Sequence, residues 1–334
     1  MKVLIDHPDP FLFTHGGFQI QIEQTKLALE ANGVDVEPLR WWDRSQQCDI
    51  IHYFGGRVPE GYIRLAQGQG IKLVMSELMS NLSARRPIAR KLQKCVMELA
   101  RRFAPQTFTS RLAWESFRLV DACIAMTPLE AHFMQHHFGA PAERVHVVPN
   151  GVEDVFLQEN TQSERGPWLI CTATIRPLKR VLELAQAAVL AKTQVWILGK
   201  PYSEEDRYAL AFRAFAKQHP DLVRYEGPVN DRIKLAQIYR QARGFVLLST
   251  NESLSLSALE AAACGCPLLL SDLPWARCVF KDQARYCPIT SVSRTAEILR
   301  HFSEQAPDIS PPPKPLSWRE VAVVLKGVYE KLLR

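Results

Sequence analysis

Short apolar runs alternate along the whole chain with longer segments whose apolar residues recur at helical spacing. In the first half the runs are Lys2–Ile5, Asp49–Tyr53, Lys72–Met75, Ala122–Ala125 and Val145–Val148. Continuous aliphatic stretches of this kind suit strands covered on both faces. Helical periodicity spans Phe18–Asn32, Pro59–Gln67, Ile88–Phe103, Thr109–Leu119 and Pro128–Phe138. Thr127-Pro128 puts Pro at a first helical position, where its missing N–H leaves no bond unmade. A polar, breaker-rich stretch from Leu157 to Pro167 follows and is the expected linker. The alternation then resumes. Strands are expected at Trp168–Thr172, Gln194–Leu198, Val223–Tyr225, Gly244–Ser249 and Pro267–Ser271, with helices at Arg180–Leu190, Asp206–Gln218, Asp231–Ala242 and Ser257–Ala263. Ser310-Pro311-Pro312-Pro313-Lys314-Pro315 predicts an extended tether, and a last helix spans Trp318–Leu333. Strand–helix alternation on both sides of the linker predicts an α/β protein built on parallel sheets.

Composition narrows the class. At 334 residues, 47% hydrophobic and 23% charged, the chain suits two globular domains. No apolar run approaches the ~18 residues of a membrane span. Met1 to Ile5 runs at once into Asp6-His7-Pro8, a buried strand instead of a signal peptide. The eight cysteines are then expected to be reduced and the location cytoplasmic. Cys264-x-Cys266 has no partner pair at metal-site spacing.

The net charge of +6 favours no partner class, but its distribution does. Arg85, Arg86, Arg90, Lys91, Lys94, Arg101 and Arg102 crowd one segment against a single acid, Glu98. Ile88, Leu92, Cys95, Leu99 and Phe103 recur there at helical spacing. The simpler expectation is a surface helix with that stripe on the core. The sharper one is peripheral contact of residues 85–103 with an anionic membrane, at the inner membrane surface, or with an acidic acceptor. Nucleic acid is not expected, because no binding motif accompanies the charge.

The densest chemistry lies between Asn251 and Pro267. Glu252 follows the apolar run Phe245 to Ser249, and Glu260 sits on a small-residue helix that Gly265 and Pro267 stop. Glu252 is thus expected in a strand-to-helix loop and Glu260 about two turns into the helix. The amides of Ser253, Leu254 and Ser255 would cap the helix start, a position that suits a phosphate. Carboxylates accept hydrogen bonds from sugar hydroxyls. Taken without its flanks, the pair reads more readily as a helix cap and a solvated surface charge.

The flanks bring in a resemblance. Phe245 to Asp272 resembles the donor-site signature of retaining glycosyltransferases of family 4, which have the GT-B fold. That signature is Glu, seven residues, Glu, a small-residue helix, Gly-x-Pro and a hydrophobic strand, here Leu268-Leu269-Leu270-Ser271-Asp272. Val147 to Val152 is similar to the family's segment before the interdomain linker, and Tyr225 to Val229 to its loop near the base. Ser317-Trp318 with the Tyr329 helix is similar to its C-terminal helix. His15-Gly16-Gly17 with the helix that follows is similar to its glycine loop. The match runs in the family's order over nearly the whole chain.

The resemblance implies two Rossmann-like domains facing a cleft, residues 1–158 plus 318–334 on the acceptor side and 159–317 on the donor side. The C-terminal helix would cross back to the first. It implies retaining transfer of a sugar from a nucleotide-sugar donor to an acceptor hydroxyl of a glycan, lipid or small molecule. No metal or other cofactor is expected, and no Asp-x-Asp occurs. Lys179 matches the family's phosphate-site Lys, whereas the matching Arg position holds Thr174, and Arg176 is the candidate substitute. Glu252 matches the carboxylate near the donor sugar and Glu260 the one that meets the ribose. Gly16, Gly17, Val229, Ser253, Leu254 and Ser255 complete the implied donor side. Where the family has Gly-Phe-Gly after its first Glu, this chain has Ser253-Leu254-Ser255, so the loop loses glycine's freedom at positive φ. His15 and Glu77 are candidates on the acceptor side. Two other readings stay open: a non-catalytic sugar-nucleotide-binding protein, and an epimerase or phosphorylase on the same fold.

Overall fold

The computed structural model describes residues 1–8, 11, 16–79, 82, 87–103, 113–159 and 165–334. By their contacts these residues form two compact units, Met1–Asn150 with Trp318–Arg334, and Gly151–Ser317.

The first unit is a six-stranded sheet of β1 (Lys2–Asp6), β2 (Asp35–Pro38), β3 (Ile50–Phe54), β4 (Lys72–Ser76), β5 (Ala122–Ala125) and β6 (Val145–Val147). Its order is β2-β1-β3-β4-β5-β6, every neighbouring pair parallel. The helices are α1 (Gly17–Ala31), α2 (Glu60–Gly68), α3 (Pro87–Phe103), α4 (Ser116–Leu119) and α5 (Pro128–His136). All four residues of β5 are buried, as a strand covered on both faces requires. Thr127 caps α5 by accepting from the Glu130 amide, with Pro128 next in the chain. Of the helix expected over 109–119, residues 113–119 are described, a turn over 113–115 leading into α4, and 104–112 fall outside the described residues.

Edge strand β2 was hidden by its charges. Only Val36 is buried in Asp35–Pro38. The strand pairs with β1, and Lys2 reaches across to Glu37 at 2.5 Å and Asp35 at 3.7 Å.

Helix α3 corrects the simpler expectation for the basic segment. Ile88 (81%), Leu92 (65%), Leu99 (57%) and Phe103 (73%) are exposed, as is Cys95. The side turned inward carries Met97, fully buried. Arg101 fixes that rotation by donating to Glu115 at 2.5 Å and to the Phe138 carbonyl at 2.8 Å, while Arg90 lies over the Phe133 ring.

The second unit begins with α6 (Asp154–Leu157) and builds its own six-stranded parallel sheet. Its strands are β7 (Leu169–Thr172), β8 (Val195–Leu198), β9 (Val223–Tyr225), β10 (Gly244–Leu247), β11 (Leu268–Ser271) and β12 (Arg285–Cys287), in the order β12-β11-β10-β7-β8-β9. The helices are α7 (Val181–Ala191), α8 (Arg207–Gln218), α9 (Arg232–Gln241), α10 (Leu256–Ala263), α11 (Pro274–Phe280) and α12 (Val292–Gln305). Central β10 and β11 are buried at every position. Residues 151–157 belong to this unit. Val152 bridges to Ser317, and the Val152 amide donates to the Leu316 carbonyl.

The last helix, α13 (Trp318–Leu332), buries Trp318, Val321, Ala322, Leu325, Val328 and Tyr329, one stripe at helical spacing, and packs on α1. Its Tyr329 hydroxyl lies 2.6 Å from Nδ1 of His52, whose Nε2 lies 2.8 Å from Ser76 Oγ. His52 is fully buried, and burial holds its pKa down at about 3, so the ring is neutral. Among the described residues no helix is long and apolar enough to cross a membrane.

Candidate active site

The residues singled out in the second unit gather where β7, β9 and β10 give way to their following loops, the carboxyl edge at which parallel α/β sheets bind ligands. After β7 the chain makes a single 3₁₀ turn, Pro177–Lys179, and Arg180 closes it at φ 54°. Behind this loop Gly199 takes φ +146°, and a Cβ there would sit 1.9 Å from the Ala173 carbonyl oxygen. Only glycine allows that approach.

Two loops far apart in sequence are stitched together here. The Leu178 carbonyl accepts from the Thr250 amide at 2.9 Å and from the hydroxyls of Ser249 and Thr250 at 3.2 Å. The stitch holds Lys179 Nζ against Glu252 Oε1 in a hydrogen-bonded ion pair. Both side chains are largely covered, at 22% and 12% exposure, so this cation and carboxylate are partly shielded from water. Arg176 opens the same turn, its guanidinium 5.6 Å from the centre of the Tyr202 ring.

Ser255, not Glu252, caps α10, its hydroxyl accepting from the Ala258 amide. Leu254 and Ser255 are buried, and Ser253 Oγ is buried with no protein partner. Glu260 in the second turn of α10 is 4% exposed and is no solvated surface charge. Its Oε1 accepts from Arg232 Nη2 at 2.5 Å and its Oε2 from the Tyr239 hydroxyl at 3.3 Å. Arg232 also donates to Glu153 at 2.8 Å and lies over the Phe156 ring at 4.7 Å. Burial pushes the Glu260 carboxyl up from the usual range, and the Arg232 guanidinium offsets part of that. Val229, half-buried, lies just ahead of Asp231, which caps α9 through the amides of Ile233 and Lys234.

The first unit holds the other candidates. Gly16 opens α1 at φ +129°, with open space where a Cβ would be, so conformation alone selects glycine; Gly17 is the first helical residue. Glu77 follows β4. Its Oε1 lies 3.4 Å from Arg57 Nε, and Oε2 is buried without a partner. Burial pushes this carboxyl up to about 7, against the pull of Arg57 and with the help of Glu130. His15 lies outside the described residues.

Arg232, Tyr239 and Arg57 were not foreseen. Arg232 follows a capping Asp and reads as a surface position, and Tyr239 reads as helix core. Nothing in their spacing signals that each turns toward a buried carboxylate.

Comparison with known proteins fits this geometry. Residues 31–155 match the family model described as Glycosyltransferase Family 4, and 166–301 match that of Glycosyl transferases group 1. A D-inositol 3-phosphate glycosyltransferase from Paenarthrobacter aurescens is 30% identical over 300 residues, covering 80% of this chain and 68% of that protein. The chain spans 65%, 41% and 40% of the length of three further relatives of that name. Sucrose-phosphate synthase from Thermosynechococcus elongatus superimposes with a TM-score of 0.67 at 16% identity, over 99% of this chain and 98% of that one. Anabaena HepE in complex with UDP and glucose gives 0.64 at 13%, over 99% and 97%. These likenesses show the GT-B fold.

Proposed function

The chain belongs to glycosyltransferase family 4, and from that premise we propose that it transfers a sugar from a nucleotide-sugar donor to an acceptor hydroxyl with retention of configuration. The observation that carries this reading is the Lys179–Glu252 pair, stitched at the carboxyl edge of β7 and β10. A cation there meets the diphosphate, and the carboxylate beside it meets the donor sugar. Ser253 Oγ, buried without a protein partner, is a further group for the donor to satisfy. The HepE complex with UDP and glucose fits the same donor class.

In this mechanism the acceptor attacks from the face that the nucleotide leaves, and no covalent intermediate forms. The donor phosphate takes the acceptor proton. Lys179, Arg176 and the amides of Ser253 to Ser255 stabilise the leaving diphosphate in place of a metal ion. Glu260 positions the ribose, with Arg232 and Tyr239 holding its carboxylate. Val229 borders the base. Gly16 and Gly17 let backbone approach the donor, while Glu77 and His15 serve the acceptor. We assign the reaction to the cytoplasm, where the eight free cysteines stay reduced.

The test is a panel of UDP-, GDP- and ADP-sugars. A true donor at 100 times its Kd stabilises the fold by about 2.7 kcal/mol. Turnover with an acceptor, followed by NMR of the product's anomeric proton, reads retention. Tight binding with no turnover for any acceptor overturns catalysis, and sugar interconversion without acceptor makes the protein an epimerase.

A further inference from the structure

Helix α3 carries an apolar stripe that the described fold leaves bare. Ile88, Leu92, Cys95, Val96, Leu99 and Phe103 are all exposed, and at 100° per residue they fall in one arc. Buried Met97 lies on the opposite side. A helix on a globular surface ordinarily turns its apolar arc inward. Here Arg101, bound to Glu115 and the Phe138 carbonyl, and Arg90, over Phe133, hold the arc outward.

The arc's border says what covers it. Lys91 and Arg102 lie along one edge, exposed and without an ion pair among the described residues. Lys94 follows a turn behind, 3.8 Å from Glu98, the one acid of the helix. A second copy docking on this face would bring like cations together. An anionic surface meets them with opposite charge, and an apolar arc bordered by Lys and Arg is the pattern of a helix lying in a lipid interface.

We propose that α3 docks the protein on an anionic lipid surface. Ile88, Leu92, Leu99 and Phe103 enter the acyl boundary, and Lys91 and Arg102 stay at headgroup level. This goes beyond sugar transfer, and lipid binding is measured without turnover.

Cys95 is exposed within the arc, whereas the other seven cysteines are buried or half-buried. An environment-sensitive dye on Cys95 of the full chain therefore reports on the arc itself. With vesicles of phosphatidylglycerol and phosphatidylcholine the emission shifts to the blue and the protein sediments; with phosphatidylcholine alone it does neither. Lys91→Gln with Arg102→Gln weakens binding about 30-fold. Leu92→Ser with Leu99→Ser weakens it about 100-fold. All four positions are exposed, so both pairs melt like the parent. The dye readout on the parent stands even where a variant misfolds. Absence of binding to anionic vesicles, equal binding to neutral ones, or binding indifferent to both pairs overturns the proposal. So does a dye shift that appears with protein concentration alone, which would mark the arc as a contact with a second copy.

Discussion

Arg232 is the residue whose removal tests the second unit most sharply. Its guanidinium is shared by Glu153 and Glu260, and Glu260 is 4% exposed with Tyr239 as its other hydrogen-bond partner among the described residues. Arg232→Met keeps most of the packing on Phe156 but strands a buried carboxylate. Breaking one side of such a pair costs about 3–5 kcal/mol. A domain of roughly 150–250 residues loses about 2–4 °C of Tm per kcal/mol, so the variant melts about 6–20 °C lower. The sign with pH follows from Glu260, whose carboxyl burial already holds up. A raised carboxyl gives stability that is complete below its unfolded pKa and is lost as pH rises through the folded one. Without Arg232 it is raised further, so the deficit is smallest at low pH, where the carboxyl is protonated in both states, and grows as pH rises. Adding Glu260→Gln removes the stranded charge and recovers most of the loss. Scanning calorimetry of parent, both single variants and the double variant across pH is the measurement. A single Arg232→Met variant that melts with the parent at every pH, or a double variant as unstable as the single, refutes the pairing.

Lys179→Ala and Arg176→Ala are each expected to lower kcat/KM about 10- to 100-fold, the worth of a charge-assisted bond, while Arg180→Ala, whose partner is Glu183 at 3.7 Å, stays near the parent. Should Arg176→Ala match the Arg180 control, Lys179 acts alone at the phosphates. Turnover survives EDTA; abolition with rescue by magnesium or manganese would replace the protein cations with an ion. Tyr329→Phe leaves His52 Nδ1 without its partner in a dry site and costs about 1–3 kcal/mol in urea unfolding; an unchanged midpoint refutes the role of that bond. Glu77, held at about 7, supports the fold fully below the ordinary carboxyl value of 4.5 and loses roughly 3 kcal/mol of that support as pH climbs through 7. Glu77→Gln flattens this slope in Tm against pH, and a slope identical to the parent's places the titration elsewhere.

The alternation of runs made most of the fold legible, because a strand buried on both faces must be apolar at every position. β5, β10 and β11 are such strands. What escaped was written in another code. β2 buries Val36 alone and takes its remaining support from Lys2 across the ladder, so its residues look like a loop. Three-residue β12 is too short for any period, and α12 buries Thr295, Ala296, Leu299 and Phe302, a stripe half of which is not strongly apolar. The places of Glu252, in the loop after β10, and Glu260, on α10, were legible from the apolar run before them and the helix stop after Glu260. Their cations divide. Lys179 was legible because it falls in a strand-to-helix loop, whereas Arg232 gains its meaning only when α9 and α10 pack side by side.

Helix α3 shows why periodicity stops short of burial. Spacing tells which side chains share a face, and it told correctly that Ile88, Leu92, Cys95, Leu99 and Phe103 share one. Which face meets the sheet is decided by partners elsewhere in the chain. Arg101 reaches Glu115 and the Phe138 carbonyl, and both bonds close only with Met97 beneath the helix. The Arg101 guanidinium cannot be turned to water without breaking its bonds to Glu115 and to the Phe138 carbonyl, whereas exposed Leu and Phe side chains forfeit only the ~25 cal/mol per Å² of surface they would have buried. On any surface that returns that area and answers the charge of Lys91 and Arg102, the outward stripe becomes the stable arrangement, and the rotation set by Arg101 is what makes it available.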